Sequence, residues 1–254
     1  MSDSADLTEN GFLGGRLRLR QPKTGHRAGH DAMLLAAATV ARPGDRVVEF
    51  GAGVGAAGLA LAMRVNTIDL VLAEIDPVLA ELARANAELN DLPAQICVLD
   101  VAASADAFAA VRLLPDSADA VLMNPPFHDA ARHRASPDEA RQIAHVASAT
   151  TLRSWVHAAR RVLKSGGGLT LIWRADNLGE VLAELEHGFG SVAVLPVHGK
   201  AERPAIRILV RAVKGGRAPL TLHPGLMLND AAGRPTAAAQ AVLDGRQLLP
   251  LALL

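Results

Sequence analysis

The sequence predicts an α/β protein: a doubly wound, mainly parallel seven-stranded sheet with one antiparallel strand near its end. Three observations predict it. Short apolar runs alternate with helix-period stretches from residue 46 onward. Gly51, Gly53 and Gly55 lie between the first of these strands and its helix, where close backbone turning is needed. The last two strand-like runs are separated by too few residues for a helical crossover, so they pair antiparallel. The 254 residues suit one large domain, read here as 1–254. Within it, 1–42 form a basic hairpin and a helix, 43–217 the sheet core, and 218–254 a C-terminal extension.

Each element has its own signal. "GRLRLRQPKTGHRAG" alternates Leu with Arg and then breaks into turn residues, the pattern of a short strand or hairpin. "DAMLLAAATVA" is an apolar helix stopped at Pro43-Gly44. "RVVEF" is the first core strand, "AAGLALAMRV" its helix and "IDLVLAEI" the second strand. Asp76 caps and Pro77 opens the helix "PVLAELARANAELN", whose Leu79, Leu82 and Leu89 share one face. "AQICVL" and "DAVLM" are strands three and four. A helix over about 138–163 is expected to end at the triplet Gly166 to Gly168, before strand five, "LTLIW". "LGEVLAELEHG" is a helix, "SVAVLPV" and "AIRILVRAV" the closing strands, and the Ala-rich tract near 237 the last helix. The apolar tail "LLPLALL" is expected to pack on the protein's own core.

Composition narrows the function classes. Half the residues are apolar and a fifth charged, which fits a soluble globular protein. No apolar stretch reaches the length of a membrane span, and the polar, acidic start "MSDSADLTEN" carries no secretory signal. The single Cys97 excludes internal disulfides and cysteine-based zinc clusters. These features fit the cytoplasm. The 26 cations balance 26 acids, which argues against indiscriminate nucleic-acid binding. Charge is nonetheless clustered. Arg16, Arg18, Arg20, Lys23 and Arg27 come without an intervening acid; Lys200, Arg203, Arg207, Arg211, Lys214 and Arg217 are interrupted only by Glu202. Brought together by the fold, such groups contact phosphates; otherwise they are solvated faces.

Open sheets bind ligands at the carboxyl ends of their strands. Glu49, Glu74, Asp100 and Asn124 close strands one to four. Gly53, Gly55 and Gly58 satisfy the dinucleotide spacing G-x-G-x-x-G, a weak signal alone. Glu49, two residues before Gly51, would repel a pyrophosphate and suits an amine. Glu74 lies nineteen residues after Gly55 and is placed to accept from both hydroxyls of a ribose, in NAD and S-adenosylmethionine alike. Asp100 is placed for an exocyclic adenine amine, with Val101 against the ring; its alternative role is to cap the helix in "ASADAFAAV".

"VLMNPPFHDA" spends one of only five Phe, in a chain with two Trp and no Tyr, beside a strand exit. The adenine amine is a poor nucleophile because its lone pair is delocalised. The Asn124 side-chain oxygen and the Pro125 carbonyl are suited to accept its N–H bonds and free that lone pair, while Pro126 stiffens the turn. Phe127 offers a stacking surface, with His128 next to it. Catalysis of this kind comes from positioning and polarisation. It needs no metal, and His26, His128, His133 and His145 lack a ligand spacing. His145 is assigned to packing or substrate orientation.

"VVEFGAGVG", "LAEIDP" and "NPPF" resemble the class I S-adenosylmethionine-dependent methyltransferases of the amino-methylating type. More closely, the chain resembles the bacterial tRNA adenine-N6 methyltransferase family that modifies valine tRNA. That similarity runs from "GRLRLRQPKTGHRAGHDAMLLAA" to "GKAERPAIRILVRAVKGG" and "LTLHPGLML". It implies a Rossmann-like methyltransferase fold, S-adenosyl-L-methionine as cofactor and tRNA as substrate. It implies cofactor contacts from Asp31, Glu49, Gly51, Gly53, Gly55, Glu74, Ile75, Asp100, Val101 and Asn124. Asn124, Pro125, Pro126 and Phe127 would hold the target amine. Arg18, Arg20, Lys23, Phe127, His128 and Lys200 would contact the substrate. The rival readings are methylation of a protein glutamine amide, which poses the same lone-pair problem, or of a small-molecule acceptor. A degenerate binding module and an NAD oxidoreductase are less well matched, the second because of Glu49.

Overall fold

The protein was analysed as a computed structural model, which describes residues 7–24, 27–126 and 137–253, with side chains of the helix 137–162 described from residue 150. β1 (Leu7–Phe12) and β2 (Leu17–Pro22) form an antiparallel hairpin. In β2 the period of two turns Leu17, Leu19 and Gln21 inward and Arg18 and Arg20 outward. α1 (His30–Ala38) is apolar and buried from Met33 to Ala38. The core then alternates β3 (Arg46–Phe50), α2 (Ala56–Arg64), β4 (Asp69–Glu74), α3 (Pro77–Leu89), β5 (Gln95–Val98), α4 (Ala105–Ala110) and β6 (Ala118–Met123). α5 (Pro137–Val162), β7 (Leu163–Arg174), α6 (Leu178–Leu185), β8 (Phe189–Lys200) and β9 (Ala205–Lys214) follow, and β10 (Thr221–Leu222), β11 (Leu226–Asn229) and α7 (Ala237–Leu243) close the chain.

The large sheet has the order β10-β8-β9-β7-β6-β3-β4-β5, with β11 also on β8. β9 runs antiparallel to both β7 and β8, and the other pairs are parallel. The expected seven strands are β3 to β9. β10 and β11 extend the sheet beyond them along β8; runs of two and four residues are too short to show a period. The chain leaves β3 toward β4 and β5 on one side and returns on the other at β6, so the switch point lies between β3 and β6. Ligand crevices open at such points.

One local expectation needs correction. The triplet Gly166 to Gly168 does not stop α5; it lies inside β7, which starts at Leu163. Pairing with β6 jumps from Ala118↔Leu163 to Ala120↔Gly168, so the glycines form a bulge. A Cβ on Gly167 would lie 2.9 Å from the Lys164 carbonyl oxygen, which explains the residue type. In α3 the fully buried residues are Ala80, Ala83, Asn86 and Ala87, whereas Leu79, Leu82 and Leu89 are half-buried. Small residues let α3 approach closely, and Asn86 makes bonds there. Its side chain accepts from Arg20 N–H at 2.7 Å and donates to the Arg20 and Val54 carbonyls, both at 3.0 Å. Asn90, one turn on, grips the N–H and C=O of Arg18 at 2.9 and 2.7 Å. Two helical amides thus continue the β2 ladder and lock the hairpin to the core.

Apolar clusters cover the two faces of the sheet, one under α1 and α2 and one under α4, α5 and α6. As expected, the C-terminal tail joins the first: Leu249 and Leu251 are buried, and Leu249 N–H donates to the Ala37 carbonyl at 3.0 Å. Among the described residues no helix is long and apolar enough to cross a membrane.

Candidate active site

A cleft of about 290 Å³ opens at the carboxyl ends of β3 and β6. Its lining includes Ala28, Asp31, Glu49, Gly51, Gly53 and Asn124, so five of the expected site residues meet in one place. Its floor is the turn from β3 to α2. Gly51, Gly53 and Gly55 have φ of 63, 56 and 84°, the left-handed region that glycine adopts without strain. Around Gly53 a Cβ would meet nothing within 4 Å, so the loop leaves room for a ligand. Gly58 serves packing: a Cβ there would stand 2.5 Å from Leu72 and 2.7 Å from Glu49 Oε2.

Glu49 is 5% exposed and accepts the Gly58 N–H at 2.7 Å. Burial, reinforced by the charge of Glu74 and opposed by the Gly58 N–H, pushes its carboxyl up to about 8. A cationic ligand group would draw it back into the ionised form. Glu74 is also buried, and both its oxygens already accept backbone bonds, Oε2 from Gly53 at 2.7 Å and Oε1 from Asp76 at 2.9 Å. These bonds fix the carboxylate and leave lone pairs for a diol. Ile75, the next residue, is 61% exposed and offers an apolar surface. Val101 is buried in the cluster with Phe50 and Phe108. Asp100 is exposed and accepts the Ala102 N–H at 2.8 Å. It does not cap α4, which is capped by Ser104.

At the end of β6, Asn124 lines the cleft with an orphaned atom. Its Oδ1 is buried and accepts no hydrogen bond among the described residues. Pro125 is buried and Pro126 exposed. Phe127, His128, His26 and His133 lie outside the described residues, as does the side chain of His145.

Asp31, at the start of α1, is held by Arg207 of β9 at 3.0 Å. Arg18 and Arg20 point to solvent and face Glu9 at 3.5 and 3.3 Å. Lys23 and Lys200 are exposed. Two other members of the first basic cluster are structural. Arg16 donates to the carbonyls of Leu13, Asp244 and Gly245; Arg27 donates to the Pro22 carbonyl and Asn10 Oδ1. Sequence reasoning missed Asn86, which holds the Val54 carbonyl beside the loop, and Trp155, whose ring lies against Gly51. Neither a helical Asn nor a Trp in a polar helix carries a positional signal.

The donor set fits S-adenosylmethionine: buried Glu49 suits a cation, Glu74 a ribose diol and Ile75 an apolar ring face. The fold and this cleft define the class, that of the doubly wound S-adenosylmethionine-dependent methyltransferases. Residues 28–201 match the family described as the methyltransferase small domain, and the chain belongs to that family. It is 30% identical over 170 residues to a tRNA1(Val) (adenine(37)-N6)-methyltransferase of Porphyromonas gingivalis, covering 64% of each chain. It is 29% identical to a predicted O-methyltransferase from Agrobacterium tumefaciens of known structure, with a TM-score of 0.72 over 86% of this chain and 98% of that one. The Thermus thermophilus 16S rRNA N2 G1207 methyltransferase, solved with AdoMet and guanosine, shares the fold at a TM-score of 0.56 and 21% identity, over 82% of this chain and 50% of that one. The chain matches about half to two thirds of the length of the first curated relatives.

Proposed function

We propose that the protein methylates an exocyclic amine, N6 of an adenine in tRNA. The observation that carries this reading is the orphaned Asn124 Oδ1 in the cleft. A buried acceptor without a donor costs free energy, so its retention points to a donor supplied by the substrate. An amine brings two N–H bonds, and Asn124 Oδ1 and the Pro125 carbonyl are the two acceptors offered to them. Bonding there turns the nitrogen lone pair out of the ring. S-adenosylmethionine, when bound, supplies an electrophilic methyl group on its sulfonium. Glu74 and Ile75 are assigned to its ribose and adenine, Asp100 to the adenine amine, and Asp31, Glu49, Gly51, Gly53 and Gly55 to its amino-acid half. No proton need leave the amine before attack, so a strong base is not required.

The curated relatives named as adenine-N6 tRNA enzymes support tRNA as the acceptor, and the outward Arg18, Arg20, Lys23 and Lys200 suit its phosphates. The similarity to the predicted O-methyltransferase of Agrobacterium tumefaciens favours a hydroxyl acceptor as a second reading. Methyl-label transfer from S-adenosylmethionine to unmodified tRNA, a release-factor protein and a small-metabolite extract separates the readings. N6-methyladenosine in the digested tRNA is the expected product; label confined to protein or metabolites overturns the assignment.

A further inference from the structure

Gly51 is the first residue after β3, and a Cβ there would stand 2.4 Å from Cη2 and 3.0 Å from Cζ3 of Trp155. The six-membered ring of the indole therefore lies against the Gly51 backbone. Trp155 is half-buried on α5 and packs on the apolar cluster that holds Leu152, Val156 and Phe50. α5 follows the Asn124–Pro126 turn in the chain and leads directly into β7.

The four residues of the loop floor are each pinned. Ala52 N–H donates to the Ala73 carbonyl at 3.1 Å, Gly53 N–H donates to Glu74, and the Val54 carbonyl accepts from Asn86. These three pins come from β4 and α3, the half of the sheet assigned to the cofactor. The fourth, Trp155 on Gly51, comes from the other half, where the acceptor turn lies. Gly51 also needs its left-handed φ of 63°, so two independent constraints exclude a side chain there.

We propose that Trp155 is a positioning residue for methyl transfer: its ring sets the Gly51 backbone, and so the floor of the cofactor cleft, in register with the acceptor turn at Asn124. The inference rests on the reading of the cleft as the methyl-donor site. In-line transfer is sensitive to such register, because a misplacement of about 1 Å costs on the order of a hundred-fold in rate. The indole spans the two halves of the site without touching the reacting atoms.

Trp155→Phe keeps an aromatic ring in the cluster but lacks the far ring that reaches Gly51. Gly51→Ala drives a methyl into the space that ring holds. In single-turnover transfer to unmodified tRNA at saturating cofactor, each variant should be slower by about tenfold or more. The Trp155→Phe rate should fall by a larger factor than its S-adenosylmethionine affinity, measured by calorimetry. The two changes should also be strongly non-additive: in the Trp155→Phe background Gly51→Ala should cost at least about tenfold less cofactor affinity than in the wild type, because the space is vacant. Equal cost of Gly51→Ala in both backgrounds overturns the proposal, as does a wild-type transfer rate in Trp155→Phe. Thermal melts check that each variant is folded; Trp155→Leu, also apolar and too short to reach, gives the same comparison if Phe is not tolerated. A wild type that transfers nothing to tRNA sinks the acceptor assignment, while the affinity comparison still decides the role of Trp155.

Discussion

Asn124 keeps a buried oxygen from any donor among the described residues, and this makes its replacement diagnostic. A residue that only shaped the turn would destabilise the fold when truncated. Asn124→Ala instead removes an unmet acceptor whose burial costs about 1–3 kcal/mol, so the melting temperature should hold or rise slightly. Methyl transfer should fall by about a hundred-fold or more, with S-adenosylmethionine still bound. A lower melting temperature with transfer near the wild-type rate would return the turn to a structural role. Glu49 gives a second residue-scale test. Its folded carboxyl lies near 8 against an ordinary 4.5, so the fold holds a proton that the unfolded chain has released. Its contribution to the stability of the ligand-free protein is therefore complete below the unfolded value and is lost as pH rises through the folded one. Melting temperatures of wild type should fall more steeply than those of Glu49→Gln across that window, and parallel curves would refute the shift. Binding of a cation beside Glu49 releases the proton, so S-adenosylmethionine affinity should rise with pH there, and less so in Glu49→Gln. The sequence disclosed these residues because polar side chains at successive strand ends have few structural reasons to exist. It could not disclose that Val101 turns into the core while Ile75 stays exposed, because neighbouring apolar residues are separated only by the local backbone direction.

At the scale of elements, the hairpin was legible from its alternation of Leu and Arg, and the alternation sets which side chains face outward. What holds it was not legible. Asn86 is a neutral residue in a helix by propensity, yet it satisfies the N–H and C=O of Arg20 and the Val54 carbonyl at once. Asn86→Ala strands these groups and should destabilise the protein by about 2–4 kcal/mol. Asn90→Ala, at an exposed site, should cost less, on the order of 1 kcal/mol. Because Asn86 also holds the turn between β3 and α2 that floors the cleft, its loss should weaken S-adenosylmethionine binding, whereas Asn90→Ala should not; calorimetry on the two variants checks this. Arg18 and Arg20 gain their outward direction from the same clamp. Their acid partner among the described residues, Glu9, is an exposed one, and such a pair contributes little, so a phosphate can replace it. Arg18→Ala and Arg20→Ala should each weaken tRNA binding and flatten its salt dependence, with cofactor affinity unchanged. Salt slopes equal to wild type for both would leave the hairpin without an RNA role. β10 and β11 and the glycine bulge of β7 escaped the sequence for a common reason: they are set by pairing with a distant strand.

At the scale of the whole molecule, the reversed strand divides a basic run that looks continuous in the sequence. β9 pairs Arg207 with Arg174 at the end of β7, and Val213 with Gly168, six residues earlier. The first residues of β9 therefore stand with the carboxyl ends of the parallel strands, where the cleft opens, and its last residues stand at the opposite edge. With a rise of about 3.3 Å per residue, Arg207 and Lys214 are separated by roughly 23 Å. Lys200 and Arg203, in and after the last residues of β8, fall on the cleft side; Arg207 is there too, bound to Asp31. Arg211 lies mid-strand against Thr170, with its Nε buried. Lys214, paired with Asp116, and Arg217 fall on the far side. An RNA whose adenine enters the cleft reaches the first group and not the second. Arg203→Ala and Lys200→Ala should therefore weaken tRNA binding, each reducing the salt slope by about one phosphate contact. Arg217→Ala, equally exposed and equally charged, should leave both affinity and slope at the wild-type values. Filter binding of the three variants across a salt series is the measurement. Equal losses at Arg203 and Arg217 would mean that the RNA is held by net surface charge, without a fixed path to the cleft.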